Sequence, residues 1–160
     1  KSYYSDDEAR LLFEFAELLN QHFNSPKHLM VAHNGKEFDF PYIARRLLVN
    51  GLELPSLLDI AGKKPWEIRH IDTLELWKFG DYKHFTSLDL LTAIFDIPSP
   101  KSDIDGSQVN EVYWVKNDLK RIAEYCQNDV LAIVQLLNKY RGQPLFEEKH
   151  IEFVPLEKIV

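Results

Sequence analysis

Apolar residues recur every three or four positions in several stretches of the chain, and this spacing predicts amphipathic helices. The first helix is predicted to start after Ser5, which stands in capping-box spacing with Glu8, and to run to Phe23. A second helix is predicted from Pro41 to a stop at Gly51. The first part of the chain is therefore expected to contain two helices separated by a non-helical segment.

The second half of the chain is also expected to be mainly helical. Ser87 is the predicted N-cap of one helix and Asn117 of the longest one, which Gly142 closes, and residues 108–114 favour a short helix between them. The longest helix is expected to bury its periodic apolar positions, which are Ile122, Cys126, Val130, Ile133 and Leu137. Cys126 would then be a small core residue and not a nucleophile.

Two short apolar runs bounded by polar residues indicate buried strands. Residues 28–32 read HLMVA, and a second, weaker run covers residues 69–73. Helices alternate with these strands, which is typical of an α/β fold with parallel pairing. The chain of 160 residues is expected to form a single domain, 1–160, with a tail over 143–160 that the pattern leaves unassigned.

Composition and charge exclude some classes of protein. Hydrophobic residues make up 45% and charged residues 28% of the chain, and no apolar run reaches the roughly 20 residues that cross a bilayer, so no membrane contact is expected. The net charge of -6 argues against a broad duplex-groove binder, which needs a basic face. The single cysteine, Cys126, forms no internal disulfide, which favours a reducing compartment and hence a cytoplasmic location.

An acidic residue, Asp39, stands between two phenylalanines where the second helix begins. Because Asp is a favoured N-cap, one interpretation is that Asp39 caps this helix. The other is that its carboxylate faces a metal ion. Asn34 and Gly35 favour the second interpretation, since they follow the first strand at its carboxyl end, where α/β folds bind ligands.

A second acidic residue, Asp129, stands within the longest helix one turn after Tyr125, so the two side chains share a helix face. The plain alternatives are a solvated Asp129 on the outer face and a half-buried packing role for Tyr125. A carboxylate in apolar surroundings is costly unless a positive charge meets it, and a divalent metal ion is the obvious partner.

Taken together, these segments resemble the second and third motifs of the DEDDy 3′–5′ exonucleases, above all the proofreading domain of B-family DNA polymerases and its free-standing bacterial relatives. The second motif corresponds here to Asn34, Phe38, Asp39, Pro41, Tyr42 and Ile43, and the third to Tyr125, Asp129 and Val130. The stretches TSLDLLTAIFDIPSPKSDIDGSQV from Thr86 and HIDTLELW from His70 are also similar to the free-standing members. The resemblance covers residues 6–142.

The resemblance implies a ribonuclease H-like α/β fold and metal-dependent cleavage of single-stranded 3′ ends, of DNA in preference to RNA. Two divalent cations, Mg²⁺ or Mn²⁺, would clamp the scissile phosphate, with Asp39 and Asp129 among their ligands. Tyr125 would aim the attacking water, and Asn34 and Phe38 would contact the terminal nucleotide. The product would be a nucleoside 5′-monophosphate.

The chain departs from the family pattern at the first motif, an Asp-x-Glu on a hydrophobic strand that bridges both metals. No such strand is present, and Asp6, Asp7 and Glu8 are better explained as the start of a helix. We therefore expect the N-terminal strands of the fold to be absent from this chain, and the chain to be part of a longer protein. Alone, it is expected to bind metal poorly and to be inactive.

The missing motif also affects the edge of the sheet. The strand at residues 28–32 would have an unpaired edge, which is open to self-association. The alternative function is a non-catalytic domain of the same fold that binds a nucleic-acid end or a protein partner.

Other acidic residues are expected to be structural. Asp72 lies between a strand and a helix, where capping or a structural hydrogen bond is expected, and Asp89 complements the dipole of the helix that Ser87 caps. Asp105 and Gly106 are typical of a turn.

Overall fold

A computed structural model of the chain describes residues 2–81, 83–98, 104–156 and 158–159. They form two compact units, Asp6–His84 and Lys1–Ser5 with Phe85–Val160. In chain order, the elements are α1 (Glu8–His22), β1 (Val31–Ala32), α2 (Asp39–Val49), β2 (Ile71–Asp72), α3 (Thr73–Lys78), α4 (Leu88–Ile94), α5 (Val109–Trp114) and α6 (Leu119–Tyr140), with 3₁₀ turns at Pro65–Glu67 and Glu148–His150. None of these described helices is long and apolar enough to cross a membrane.

The small sheet consists of β1 and β2 in parallel, with Val31 opposite Ile71 and Ala32 opposite Asp72. This confirms the predicted parallel pairing, although both strands are much shorter than predicted. The described part of the chain is mostly helical, and it is compatible with the expected α/β class.

Side chains limit the length of the sheet at both ends of β1. They accept hydrogen bonds from backbone N–H groups that longer strands would use to pair with each other. The N–H of Met30 donates to Nδ1 of His70 at 3.2 Å, and the N–H of Asn34 donates to the carboxylate of Asp72 at 2.9 Å. Asn34 also has a φ of 62°, which turns the chain out of the extended conformation. A hydrophobic pattern cannot reveal these bonds, which explains why the predicted strands were too long.

The core of the Asp6–His84 unit combines residues of α1, β1, α2 and the loop that follows. Its buried members are Leu12, Ala16, Leu19, Ala32, Phe40, Leu47 and Leu58. An ion pair also links the two helices, since Nε of Arg46 donates to Glu8 at 2.7 Å. This bond is the main cause of the lowered pKa of the Glu8 carboxyl.

The N-cap of α1 is Asp7 and not Ser5, which corrects the predicted capping box. The carboxylate of Asp7 accepts from the N–H of Arg10 at 3.0 Å, whereas the hydroxyl of Ser5 donates to the carbonyl of Ile159 at 2.7 Å. Two residues able to cap stand close together in the sequence, and a long-range bond takes one of them. The interpretation of the acidic run as a helix start is confirmed.

Helix α6 buries a different face from the predicted one. Its N-cap is Asp118 and not Asn117, and its buried residues are Ala123, Ala132, Gln135 and Leu136. Cys126 is exposed and Val130 is 60% exposed, so the prediction that they belong to the core is wrong. The true face includes the polar Gln135 and lies about one residue away from the stripe that the larger apolar side chains predicted.

The C-terminal segment is fastened within its own unit. The side-chain amide of Gln135 donates to the carbonyl of Phe146 at 2.8 Å and accepts from its N–H at 2.9 Å. Further along, the N–H of Ile159 donates to the carbonyl of Tyr4 at 3.0 Å. These bonds connect the unassigned tail to α6 and to the first residues of the chain.

Other predictions in this unit agree with the structure. Ser87 caps α4 through its hydroxyl, α5 occupies Val109–Trp114, and Gly142 follows α6 with a φ of 64°. The prolines at positions 98 and 100 also predict a loop over residues 97–105, of which residues 99–103 lie outside the described residues.

Candidate functional site

A buried carboxylate holds the segment that follows β1. Asp72 is 2% exposed and accepts from the N–H groups of Asn34 at 2.9 Å and Lys36 at 3.0 Å. It also accepts from the N–H of Leu74 at 3.0 Å and is thereby the N-cap of α3. The structural role predicted for Asp72 is confirmed, and it extends to fixing the turn that leads to Asp39.

The shape of this turn depends on Gly35. A Cβ at this buried position would lie 2.3 Å from Cβ of Ala32, 3.2 Å from the ring of Phe40 and 3.4 Å from Oδ2 of Asp39. Real Cβ atoms do not approach an apolar carbon at the first of these distances, so a side chain does not fit here. The bare backbone therefore passes directly beside the Asp39 carboxylate.

Asp39 is the first residue of α2. The N-cap of this helix is Phe38, which makes no side-chain capping bond. The interpretation of Asp39 as the helix cap is therefore wrong. Burial raises the pKa of the Asp39 carboxyl, a backbone hydrogen bond opposes the rise, and the charge of Asp72 adds to it. A partly buried carboxylate with these surroundings is typical of a functional site.

Two exposed aromatic rings lie at the start of α2. Phe38 is 63% exposed and Tyr42 is 52% exposed, and their rings stack with centroids 6.0 Å apart and planes 10° apart. Phe38 was expected to contact the terminal nucleotide, whereas Tyr42 was not predicted as its stacking partner. The spacing of four residues on one helix was the signal that could have found it.

On α6, Tyr125 and Asp129 lie one turn apart, and their side chains are hydrogen-bonded. Asp129 is partly buried, so the alternative of a solvated residue on the outer face is wrong. Burial raises the pKa of Asp129, and the bond from Tyr125 works against this rise. Burial, followed by the charge of Asp129, raises the pKa of Tyr125 to about 12.

The electrostatic influence of Asp89 on this pair was not predicted from the sequence. Asp89 lies in the first turn of α4, where it was expected only to complement the helix dipole. Its charge nevertheless raises the pKa values of both Tyr125 and Asp129. The effect arises because α4 packs against α6, which the local sequence cannot reveal.

The turn before α5 also approaches Tyr125. Oδ1 of Asp105 accepts from the N–H of Ser107 at 2.8 Å and from its hydroxyl at 2.5 Å, so the predicted turn is present. A Cβ on Gly106 would lie 3.9 Å from the hydroxyl oxygen of Tyr125. The backbone of this turn therefore borders the tyrosine hydroxyl.

The predicted site residues fall into two groups, one in each unit. Asn34, Phe38 and Asp39 lie in Asp6–His84, and Tyr125 and Asp129 lie in the other unit. Within each unit, the predicted residues are neighbours on one turn or one helix face. Across the described part of the chain, no three His, Cys, Asp or Glu side chains form a group that could hold a metal ion.

Comparison with known proteins identifies the family of the chain. Residues 2–142 match the model of a family described as a predicted 3′–5′ exonuclease related to the exonuclease domain of PolB. The chain belongs to this exonuclease family. A DNA polymerase of Pyrococcus glycovorans is 21% identical over 142 residues, which cover 74% of this chain and 18% of the polymerase. The chain thus spans only a small part of the length of that relative. No solved structure matches the chain.

Membership of the exonuclease family confirms the resemblance stated from the motifs. Both site groups, residues 34–39 and 125–129, lie inside the matched range of 2–142. The family therefore supplies a common interpretation for two carboxylates that the fold places in separate units.

Proposed function

We propose that the protein is a metal-dependent 3′–5′ exonuclease that releases nucleoside monophosphates from single-stranded 3′ ends, of DNA in preference to RNA. The observation that carries the proposal is the pair Asp39 and Asp129, two partly buried carboxylates whose pKa values are raised by burial. The preference for DNA is supported by the similarity to a DNA polymerase.

The donor chemistry of Asp39 and Asp129 fits a hard divalent cation such as Mg²⁺ or Mn²⁺. Among the described residues, no lysine or arginine is a named cause of either pKa shift, so a bound cation would supply the compensating charge that these carboxylates lack. Bound metal ions would stabilise charge on the scissile phosphate and activate water. Asp39 and Asp129 would hold them, although the set needs further oxygen ligands because the Asp-x-Glu strand is missing from this sequence.

Tyr125 is suited to orient the attacking water and not to deprotonate it. Because its pKa is raised to about 12, the hydroxyl stays protonated at neutral pH. One bond joins it to Asp129, and the missing side chain of Gly106 leaves room on another side. A phenol oxygen held in this way can form one further hydrogen bond with water or substrate.

The substrate end would be held by the turn and first residues of α2. The stacked, exposed rings of Phe38 and Tyr42 provide a flat surface on which bases can stack without regard to sequence. Asn34, fixed through its N–H by Asp72, would contact the terminal nucleotide with its side-chain amide. Such contacts are compatible with a net charge of -6, since they do not require a basic groove.

The proposal includes the DEDDy assignment and a ribonuclease H-like fold for a single domain. The parallel pairing of β1 with β2 and the family match support this fold. Val31 on β1 is 38% exposed, which supports self-association through that strand as a prediction. The cytoplasmic location also stays a prediction, based on the single cysteine.

A 3′-labelled single-stranded oligonucleotide, incubated with the full gene product in Mg²⁺ or in EDTA, tests the proposed activity. We expect mononucleotide release in Mg²⁺ alone, slowed on the order of a hundredfold or more by Asp39→Ala or Asp129→Ala, the cost of one strong electrostatic contribution. Glu124→Ala, at an exposed position of α6, is the matched control and should retain activity. Unchanged activity in Asp129→Ala would remove this residue from the mechanism.

The second candidate is a non-catalytic domain that binds a nucleic-acid end. The observation in its favour is the absence of an Asp-x-Glu strand from the sequence. Oligonucleotide binding by the full gene product without degradation in either Mg²⁺ or Mn²⁺ would favour this candidate over the exonuclease.

A further inference from the structure

A cleft of about 330 Å³ lies in the Asp6–His84 unit at the amino ends of the two strands. Its lining comes from residues 24–26, 28–29 and 67–70, which lead into β1 and β2, and from residues 56, 57, 60 and 63. The Asn34–Asp39 turn follows the opposite, carboxyl ends of the same strands. The cleft is therefore a separate place in the unit, and the proposed exonuclease chemistry makes no use of it.

The cleft is cationic, although the chain as a whole has a net charge of -6. Lys63 and Arg69 both line it. Nζ of Lys63 donates to the carbonyl of Asp59 at 2.6 Å, and Nη1 of Arg69 donates to the carbonyl of Pro26 at 3.0 Å. These neutral carbonyls position both side chains without cancelling their charge, and the described residues provide no carboxylate partner for either.

The remaining ionisable side chains of the lining do not offset this charge. Glu67 contributes one carboxylate, which already accepts from the N–H of Lys64 at 2.7 Å. His70 is neutral at physiological pH because burial lowers its pKa, and its Nε2 donates to the carbonyl of Leu57 at 2.7 Å. The described lining therefore keeps a net positive charge.

Apolar surface lies beside the cationic groups. Leu29, Leu57 and Ile60 belong to the same lining. Nδ1 of His28 accepts from the N–H of Ser25 at 3.3 Å, which leaves Nε2 as the ring nitrogen that can donate to a ligand. A ligand that satisfies this lining combines an anionic group with a flat or apolar part. The volume is at the small end of ligand pockets, which run from roughly 300 to 1,000 Å³.

We propose that this cleft binds a phosphate-bearing ligand of mononucleotide size, with Lys63 and Arg69 on the phosphate and the apolar wall against the attached ring. Two cations favour a dianionic phosphate over a singly charged carboxylate as the bound group. The guanidinium of arginine also matches the geometry of phosphate oxygens. Binding here does not require catalysis. The link to function rests on the proposed exonuclease activity, whose product class is the nucleoside monophosphate.

Isothermal titration calorimetry of the intact chain with adenosine 5′-monophosphate, in buffer free of divalent metal, tests the cleft. The double variant Lys63→Gln/Arg69→Gln should bind at least about tenfold more weakly, because charge-assisted hydrogen bonds are the strong ones. Arg10→Gln/Lys83→Gln removes two exposed cations of the same unit that do not line the cleft and should bind normally. Thermal unfolding of each variant checks that the fold is retained, and Lys63→Gln alone should give a partial loss.

Titrations with other ligands show which part of the monophosphate the cleft recognises. Adenosine should bind at least about tenfold more weakly than the monophosphate if the anion is recognised. Equal binding of inorganic phosphate would overturn the mononucleotide proposal, as would an oligonucleotide that displaces the monophosphate at much lower concentration. Absence of binding at millimolar concentration would also overturn it. Asp129→Ala should bind the monophosphate normally, so loss of catalysis and failure of the cleft are distinguishable.

Discussion

The hydroxyl of Tyr125 and the carboxylate of Asp129 are hydrogen-bonded across one turn of α6, and the bond changes both groups. It lowers the pKa of Asp129 against the rise that burial causes. Asp129 in turn contributes, after burial, to the pKa of about 12 for Tyr125. The two residues therefore act as one unit, in which a protonated phenol supports a partly buried carboxylate.

The substitution Tyr125→Phe removes the hydrogen bond to Asp129 and keeps the aromatic ring. The pKa of Asp129 should then rise further, since the remaining influences, burial and the charge of Asp89, both raise it. The free energy of unfolding should fall by about 1 kcal/mol, the usual contribution of one hydrogen bond. Carboxyl NMR titration measures the first effect and urea unfolding the second. An unchanged Asp129 titration would show that the bond is absent in solution.

Asp129→Asn is expected to stabilise the protein at neutral pH. The folded-state pKa of Asp129 is raised above its unfolded value, so the ionised group costs stability at neutral pH, and stability is regained as the pH falls through the folded-state pKa. A neutral amide avoids this cost and still accepts from Tyr125. Thermal unfolding at pH 7 should show a higher midpoint for the variant, with the difference shrinking near pH 3.

Glu124→Gln is the control for this prediction, since it makes the same chemical change at an exposed position of α6. It should leave the midpoint nearly unchanged, as surface substitutions usually do. A lower midpoint for Asp129→Asn at pH 7 would contradict the assignment of Asp129 as a carboxylate held at a cost to stability.

Helix α6 shows how far the sequence alone could lead. Its existence and the placement of Tyr125 and Asp129 on one face followed from spacing, because helical geometry is local. The buried face did not follow, because it includes Gln135, whose amide is satisfied by Phe146 in a segment without a readable pattern. Polar residues buried through a distant partner are invisible to a hydrophobic pattern.

The candidate site divides in the same way. Asp39 could be identified from its motif, but its position inside α2 depends on the turn that Asp72 holds from another strand. The influence of Asp89 on Asp129 likewise depends on packing between helices far apart in the chain. Residue types and spacing indicated the chemistry, whereas the electrostatic surroundings required the tertiary structure.

Weak metal binding by the 160-residue chain is a separate prediction. Asp39 and Asp129 provide suitable oxygens, but the chain lacks the bridging Asp-x-Glu, so too few ligands are present for a tight site. Calorimetry with Mn²⁺ should give weak or undetectable binding, and Asp129→Asn should weaken any binding that is seen. Tight binding of two ions would contradict the prediction and show that other residues complete the site.

Gly35→Ala should destabilise the Asp6–His84 unit strongly. The added Cβ would lie 2.3 Å from Cβ of Ala32, and buried overpacking typically costs about 1–3 kcal/mol. The turn beside Asp39 must shift to relieve the contact, so exonuclease activity of the full gene product should fall as well. Gly51→Ala is the control, because nothing lies within 4 Å of its Cβ and only its φ of 70° opposes the change. A smaller loss for Gly35→Ala than for Gly51→Ala would show that the turn is loosely packed.

The stability of the Asp6–His84 unit should depend on pH through His70, which is 7% exposed and packs edge-on against Phe40 with ring centroids 4.9 Å apart. Its Nδ1 accepts from the N–H of Met30 and its Nε2 donates to the carbonyl of Leu57, so only the neutral ring satisfies both bonds. Burial lowers its pKa in the folded state. Below about pH 6.5, the unfolded chain therefore binds more protons than the folded protein does. The stability that His70 contributes above that pH is lost as the pH falls through the folded-state pKa.

The contribution of His70 is isolated by comparing wild type with His70→Gln. Urea unfolding should show a free energy that falls between pH 7.5 and pH 5.5 in the wild type and falls less in the variant, which has no group that gains a proton in this range at position 70. The variant should be less stable than the wild type at pH 7.5, because glutamine cannot reproduce both bonds and the ring contact with Phe40. Parallel curves for the two proteins would show that His70 is not held in the neutral form by the fold.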